Sequence, residues 1–320
     1  MHDDWKFGHP GIWVRDFDKT MDYYRSLGIA GRIGLTLTAE GMDGALRREF
    51  GKVAPPPDLS GGYALDLLVI GDLMLEVLQL LPRKPSITGD YLVPGEGVNH
   101  VCFNVPDIVG DSLKLSEKGP QFMLVLRSRK DDNLVENYLD TRESGNIILS
   151  LRPDPDGKRS EGETATKAGL ATNDWKFRGH SVAVFDVEKA VEYYEFLELA
   201  SPQSGAMFDS ESIKDFKAYG ETSGTAVKAK TRTVRTGPTE FEFVQPVEGE
   251  SIFKEIAAVR GEGIFDLTFT VNDLDKETAK LVDKGAPVIL SGTPQTGGAF
   301  AFFDTRKDGG DVLIKLVQAE

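Results

Sequence analysis

The sequence repeats itself at an interval of about 170 residues, and this repeat limits the folds open to the chain more than any other feature. The tetrapeptide DWKF at Asp4–Phe7 leads into GHPGIWVRDFDKTMDYYRSLGI, and DWKF at Asp174–Phe177 leads into RGHSVAVFDVEKAVEYYEFLEL. Self-similarity at a fixed interval is typical of folds built from repeated units. The chain is therefore predicted to consist of two similar halves.

A weaker copy of the same pattern follows inside each half. Gly95–Gly119 begins GEGVNHVCFNVPD, and Gly261–Gly285 begins GEGIFDLTFTVND. Each copy has an alternating apolar strand, then an Asp that can cap a helix, then apolar residues at helical spacing such as Val187, Val191 and Tyr194. Segments rich in β-forming residues come next, among them YALDLLVIG and TEFEFVQP. We predict an α+β fold with a βαβββ module that occurs four times.

A polar segment between the halves marks the predicted domain boundary. It carries Pro and Gly and lacks periodic apolar residues, as linkers do. A chain of 320 residues with 40% hydrophobic residues is long enough for two domains with their own cores. We predict a linker at 154–174, an N-terminal domain at 1–153 with modules at 5–85 and 95–153, and a C-terminal domain at 175–320 with modules at 175–248 and 260–320.

Composition restricts the partners and the location. The net charge of −14 disfavours nucleic acid and anionic membranes, because phosphate binding needs clustered Lys and Arg. No apolar run reaches the roughly 18 residues of a membrane span, and the N-terminal MHDDWKFGHPG has no signal-peptide core. A single cysteine permits no internal disulfide. We expect a cytoplasmic protein, monomeric or homodimeric, without nucleic acid or membrane partners.

Several motifs together point to one protein family. They are the serial βαβββ modules, the opening HPGIWVRD at His9, the helical YYRSLG at Tyr23 and the closing GGDVLIKLVQ at Gly309. This combination resembles the vicinal oxygen chelate superfamily, which includes glyoxalase I, bleomycin-resistance proteins and extradiol dioxygenases. The segment RGEGIFDLTFTVNDLDKETAKLVDKGAPVILSGTPQTGG is most similar to methylmalonyl-CoA epimerase of that superfamily. The resemblance implies two tandem domains with cup-shaped mixed sheets and one divalent metal ion, Fe, Mn, Co, Ni or Zn.

The resemblance also implies a metal ligand on the first strand of a module, seven residues before the capping Asp. His9, His100 and Asp266 occupy this position in the first, second and fourth modules. In the third module the position holds Gly179, so His180 lies one residue out of register. Either a bulge restores the direction of His180, or the slip turns its side chain away from the cup.

A second implied ligand position lies on the last strand of each module. It holds Glu76 in the first module and, depending on register, Leu149 or Ser150 in the second. If adjacent modules form one cup, the N-terminal cup collects His9, Glu76 and His100 as metal ligands. Two imidazoles and one carboxylate suit a divalent transition metal and leave positions open for substrate oxygens.

The C-terminal cup is expected to be degenerate. It would collect His180 or Gly179 together with Glu242, Asp266 and Lys315, and a protonated ammonium does not coordinate a metal. A different pairing, of the first with the fourth module, would instead bring together a poorer set of ligands: His9, Glu76, Asp266 and Lys315.

Three further residues are predicted to line the substrate pocket of the N-terminal cup. Strand alternation places Trp13 on the side of His9, and Cys102 and Asn104 on the side of His100. A lone buried thiol is usually a small core residue, so Cys102 is interpreted as pocket wall. The segments 37–62 and 206–225 are expected to shape the pocket as loops.

The resemblance implies chemistry on a small oxygenated substrate. The first interpretation is an isomerase, epimerase or lyase of glyoxalase type, in which the metal acts as a Lewis acid and Glu76 is the candidate catalytic base. The second is an extradiol-type ring-cleaving dioxygenase, because a two-His, one-carboxylate Fe(II) site is typical of such enzymes. The third is a non-catalytic small-molecule binding or resistance protein.

Overall fold

A computed structural model gives the fold. It describes residues 4–34, 37–38, 44–50, 63–80, 95–158, 169, 171–221 and 226–320. Residues 159–168 and 170 of the predicted linker, and most of the predicted loop at 37–62, lie outside the described residues. The domain boundary at 154–174 therefore stays a prediction.

Over the described residues, the N-terminal half forms one curled sheet of ten strands. The strands are β1 (Lys6–Val14), β2 (Ala30–Arg32), β3 (Leu37–Thr38), β4 (Leu46–Phe50), β5 (Tyr63–Ile70), β6 (Leu73–Leu80), β7 (Gly97–Val105), β8 (Gln121–Ser128), β9 (Leu134–Thr141) and β10 (Ile147–Pro153). Their order is β2-β5-β6-β1-β7-β10-β9-β8-β4, with β3 beside β5. Because β1 pairs with β7, the first and second modules share this sheet, and the first module does not pair with the fourth.

The C-terminal half repeats the order of the nine main strands, and only the position of its tenth described strand differs. Its strands are β11 (Lys176–Ala183), β12 (Ser201–Asp209), β13 (Lys214–Ala218), β14 (Lys228–Thr236), β15 (Thr239–Glu248), β16 (Gly263–Ile264), β17 (Asp266–Val271), β18 (Val288–Thr293), β19 (Phe300–Phe303) and β20 (Leu313–Gln318). Their order is β12-β14-β15-β11-β17-β20-β19-β18-β13, with β16 beside β11. The two-half, four-module α+β prediction is confirmed.

One helix follows the first strand of each module. The described helices are α1 (Phe17–Ser26), α2 (Ile108–Glu117), α3 (Val187–Phe196), α4 (Ile252–Val259), which precedes the fourth module, and α5 (Leu274–Asp283), with a 3-10 turn at Ser210–Ser212. Each module helix is capped by the expected aspartate, whose carboxylate accepts a backbone N–H from the first turn: Asp16, Asp107, Asp186 and Asp273. None of the described helices is long and apolar enough to cross a membrane.

The module helices and one face of each sheet enclose a hydrophobic core that both halves share. The Tyr24 hydroxyl on α1 donates to the carbonyl of Gly309 at 2.9 Å, and the Tyr194 hydroxyl on α3 donates to the carbonyl of Ser144 at 3.3 Å. Thus the helix of the first module packs on the fourth module, and the helix of the third packs on the second. The opposite faces of the sheets carry separate clusters, here called the first cup (N-terminal sheet) and the second cup (C-terminal sheet).

Candidate metal centre

The first cup places its candidate ligands through strand register. Gly11 on β1 is paired with Glu76 on the parallel strand β6 and with His100 on the antiparallel strand β7. Since side chains on a strand alternate, His9 faces the same side as Gly11. A Cβ atom on Gly11 would lie 2.1 Å from Cε1 of His100, so glycine at this position leaves room for the imidazole across β1.

The structure brings His9, Glu76 and His100 together, as their spacing predicted. The Glu76 Oε2 atom lies 3.7 Å from Nε2 of His9 and 3.4 Å from Nε2 of His100, and all three residues are at most 5% exposed. One ligand atom from each lies within 4.8 Å of the others. Among the described residues, Glu76 Oε2 and His100 Nε2 have no hydrogen-bond partner, although each such buried atom costs about 1–3 kcal/mol. A coordinated cation would satisfy both atoms, so these residues fit a metal ion.

Local contacts prepare His100 and Glu76 as ligands. The His100 Nδ1 atom lies 2.9 Å from Oδ1 of Asn99, and because an amide oxygen only accepts, Nδ1 carries the proton. The Nε2 lone pair then faces Glu76, as in metal sites where a second partner orients the histidine. Burial raises the pKa of Glu76, but the two neighbouring imidazoles and the charge of Arg152 outweigh burial and lower this pKa to about 2. The carboxylate is therefore ionised at neutral pH.

The fourth implied position carries no carboxylate. Glu76 pairs with Gly11, which lies two residues after His9. In the second module the equivalent pair joins Cys102, two residues after His100, to Ser150 on β10. Leu149 packs in the shared core instead, so the register selects Ser150 from the two alternatives. The Ser150 Oγ atom is buried and has no hydrogen-bond partner among the described residues.

Two residues of the first cup were missed by the sequence analysis. Glu136 on β9 is 1% exposed, and its Oε2 accepts two hydrogen bonds from Arg152 on β10, each of 2.8 Å. Burial raises the pKa of Glu136, but the positive charge of Arg152, together with the imidazoles of His9 and His100, outweighs burial, so the pKa is lowered. The alternation in LVENYLDT places Glu136 on the same face of β9 as Tyr138, and this pattern could have revealed Glu136. The ring of Tyr138 packs edge-on against His100.

The three predicted pocket residues are all buried at the first cup. Trp13 belongs to its apolar cluster, together with Leu65 and Leu78. The Cys102 thiol forms a second group of potential ligands with His9 and Glu136, in which the ligand atoms again lie within 4.8 Å of one another. Asn104 is 1% exposed, and neither polar side-chain atom has a hydrogen-bond partner among the described residues.

The second cup holds an ion pair where the first holds the candidate metal ligands. Ser181 pairs with Glu242 as Gly11 pairs with Glu76, which places Gly179 at the position equivalent to His9. The Lys315 Nζ donates to Glu242 Oε2 at 2.5 Å. Burial lowers the pKa of Lys315, but the carboxylates of Glu242 and Asp266 outweigh it and raise this pKa. Lys315 therefore stays charged and cannot act as a ligand.

His180 does not join Glu242, Asp266 and Lys315 as a potential ligand. Its ring contacts Phe177, Phe7 and Phe241 at centroid distances of 5.1, 5.9 and 5.7 Å, and its Nδ1 donates to the carbonyl of Asp266. Phe241 belongs to the shared core, so the one-residue slip turns the imidazole toward that core.

A cavity of about 250 Å³ lies in the second cup. It is lined by four phenylalanines and by polar side chains that include Thr231 and Lys315; the phenylalanines are Phe208, Phe253, Phe300 and Phe302. Within the described part of the chain, both groups of potential metal ligands belong to the first cup. The donor groups therefore lie in the first cup, and the cavity of about 250 Å³ lies in the second.

No protein-family model matches the sequence, and no curated protein matches it either. Solved structures match its fold. A triple mutant of 4-hydroxymandelate synthase from Streptomyces coelicolor is 14% identical, with a TM-score of 0.65 over 98% of this chain and 92% of that one. A fusion of a xylose isomerase-like TIM barrel with 4-hydroxyphenylpyruvate dioxygenase is 13% identical, with a TM-score of 0.54 over 100% of this chain and 49% of that one. The chain thus spans about half of the fusion's length.

A shorter match covers only one half. Methylmalonyl-CoA epimerase from Mycobacterium tuberculosis is 20% identical, with a TM-score of 0.35 over 45% of this chain and 88% of that one. The two matches that span the chain, together with its repeated topology, define the class of fold. The chain has the tandem vicinal oxygen chelate fold, as the resemblance predicted.

Proposed function

We propose that the chain is a divalent-metal-dependent enzyme that acts on a small oxygenated molecule. The observation that carries this proposal is the convergence of His9, Glu76 and His100 in a buried cup, with an ionised carboxylate between two imidazoles. This donor set suits Fe, Mn, Co, Ni or Zn and leaves positions open for substrate oxygens. When bound, such an ion supplies a Lewis acid for those oxygens.

The remaining residues of the first cup would orient the ligands and exclude water. Asn99 holds the His100 ring with Nε2 directed toward Glu76. Trp13, with Leu65 and Leu78, provides an apolar wall beside the donors. An apolar wall lowers the local dielectric constant and strengthens the interaction between charged groups and the substrate.

Within this class, we favour an isomerase, epimerase or lyase of glyoxalase type. Such proton-transfer reactions need a carboxylate or another base near the acidified C–H bond. Glu76 is the candidate catalytic base, and Glu136 places a second buried carboxylate within 4.8 Å of a ring nitrogen of His9.

An oxygen-dependent enzyme of extradiol type is the second candidate. Because Ser150 supplies no carboxylate at the fourth position, the donors are two histidines and one carboxylate. This is the ligand set of many non-haem Fe(II) oxygenases. The two solved structures that match the whole chain are named as a 4-hydroxymandelate synthase and as a fusion that contains a 4-hydroxyphenylpyruvate dioxygenase. Iron in the purified protein would favour this candidate.

Elemental analysis of untagged protein purified without chelator tests the proposal. We expect about one transition-metal ion per chain, lost in His9→Ala and in His100→Ala with little change of fold, because each variant removes a ligand. His180→Ala is the matched control, since its ring lies toward the shared core, and it should keep the ion.

Equal loss of metal in all three variants would contradict the assignment to the first cup. Oxygen uptake with a catechol or a hydroquinone would then separate the two enzymatic candidates, because only the dioxygenase consumes O2. A protein that holds no metal even after reconstitution would instead be a non-catalytic small-molecule binding protein.

A further inference from the structure

We propose that Glu136 supplies a fourth protein ligand to the metal ion of the first cup. The donor set would then comprise two imidazoles and two carboxylates, with the second carboxylate on β9 rather than β10. This inference rests on the proposed function, because it presupposes an ion at His9, Glu76 and His100.

The first argument is the one-sided bonding of the Glu136 carboxylate. Arg152 engages only Oε2, through its Nε and Nη2 atoms. The other oxygen, Oε1, is buried and has no hydrogen-bond partner among the described residues. An ionised oxygen left in this state is more costly than a neutral one, so a cation next to Oε1 would remove a large penalty.

The second argument is position. An oxygen of Glu136 lies within 4.8 Å of a ring nitrogen of His9, so the groups His9–Glu76–His100 and His9–Cys102–Glu136 meet at one histidine. Opposite ligands around one metal ion with bonds of about 2.1 Å are about 4.2 Å apart. The proposal requires the Glu136 side chain to rotate from the second group toward the first.

Strand β9 can supply a ligand in place of the carboxylate that β10 lacks. Ser150 on β10 pairs with Tyr138 on β9, and Glu136 lies two residues before Tyr138 on the same face. The short Ser150 side chain leaves space where a carboxylate would otherwise project. A glutamate from β9 can extend toward that space while Arg152 holds its second oxygen, much as outer partners orient ligating carboxylates in other sites.

Charge also favours this arrangement and indicates a class of ligand. The carboxylates of Glu76 and Glu136 and the guanidinium of Arg152 carry formal charges that sum to one negative charge. A divalent ion changes that sum to one positive charge. A buried net charge is costly unless it is paired, so the loaded site would favour a substrate that carries, or develops, a single negative charge on oxygen.

Cobalt(II) binding to the whole chain tests the inference without knowledge of the substrate. The measurements are the visible absorption spectrum, which reports coordination, and the affinity in competition with a chromophoric chelator. In Glu136→Gln the side chain keeps its size and an oxygen acceptor for Arg152, so we expect an intact fold, a changed spectrum and an affinity lower by at least about tenfold. Asp266→Asn, which alters a buried carboxylate of the second cup, is the control and should match the unaltered chain.

Glu136→Asp provides a second variant should the glutamine variant fail to fold. It keeps the charge but shortens the side chain by one methylene group, so it should also weaken cobalt binding. Unchanged affinity and spectrum in the folded variants, with loss of cobalt in His9→Ala, would overturn only this inference. A thiolate-to-cobalt band that disappears in Cys102→Ser would overturn it too, in favour of Cys102. An unaltered chain that binds no cobalt would reject the proposed function as well.

Discussion

The side chain of His180 lies on the face of its strand that packs in the shared core, whereas those of His9 and His100 face the first cup. Its imidazole is 2% exposed and lies among three phenylalanine rings. Burial lowers its pKa to about 4, and the hydrogen bond to the Asp266 carbonyl only partly opposes this effect. Repetition of a histidine along the sequence therefore does not show that its function is repeated, because a shift of one residue exchanges cup for core.

Acid sensitivity follows from this low pKa. The unfolded chain, with a histidine pKa near 6.5, binds a proton more readily than the folded chain does between pH 6.5 and 4. We expect His180 to lower the free energy of unfolding as the pH falls through this window, by up to about 3 kcal/mol, since one pKa unit corresponds to about 1.4 kcal/mol.

Urea unfolding at several pH values, compared with His180→Gln, measures this contribution. The glutamine variant cannot gain the proton, so its stability should decline less between pH 6.5 and 4. Parallel pH profiles for the two proteins would show that the imidazole is not held neutral in the folded state.

At the scale of single elements, the last strand of each cup determines what the cup can bind. On β10 the relevant residue is Ser150, which leaves the carboxylate of Glu76 to the two imidazoles, whereas on β20 it is Lys315, which lies beside Glu242 of β15. The order of the main strands is the same in the two sheets, so the difference comes from the side chains and from the one-residue offset of His180. One scaffold thus presents candidate metal ligands in the first cup and a closed ion pair in the second.

The β15–β20 ion pair makes a measurable contribution to stability. Lys315→Met leaves the partly buried Glu242 carboxylate with the hydrogen bond from the Ser181 hydroxyl and should lower the free energy of unfolding by about 1–3 kcal/mol. The double variant Lys315→Met with Glu242→Met should recover much of that loss, because apolar replacement of both partners is often neutral. A double variant less stable than the single one would contradict this account; denaturant unfolding distinguishes them.

At the scale of the whole molecule, the two halves stabilise each other. The shared core contains residues from both sheets, and Phe7 stacks on Phe177 with ring centroids 4.9 Å apart. The second DWKF tetrapeptide takes part in this contact, since the N–H of Asp72 donates to the carbonyl of Trp175 and the N–H of Phe177 donates to the carboxylate of Asp72. Each half therefore buries apolar surface that it would expose alone.

Hydrogen bonds between the halves allow this interdependence to be tested. Tyr24→Phe removes the donor to the Gly309 carbonyl, and Tyr194→Phe removes the donor to the Ser144 carbonyl. Each change should lower the free energy of unfolding by about 1 kcal/mol while a single cooperative transition is kept. Thermal and urea unfolding with two probes would reveal two separate transitions if the halves were independent instead.

Local sequence patterns were enough to predict the strands and helices and the candidate ligands of the first cup. Alternation and the capping aspartates define four strand–helix openings, and the spacing from those aspartates singles out His9 and His100. These features are local: side-chain direction along a strand and capping of a helix depend on residues only a few positions apart. They could be inferred without knowing which strands are neighbours.

The pairing and register of strands that are distant in sequence could be read only from the tertiary structure. Pairing of β1 with β7, the choice of Ser150 over Leu149, and the approach of Glu136 from β9 all depend on register between strands that are distant in sequence. Packing of the shared core sets that register, because a slip of one residue would move each apolar side chain out of the core. The same constraint turns His180 inward, although its sequence context closely resembles that of His9.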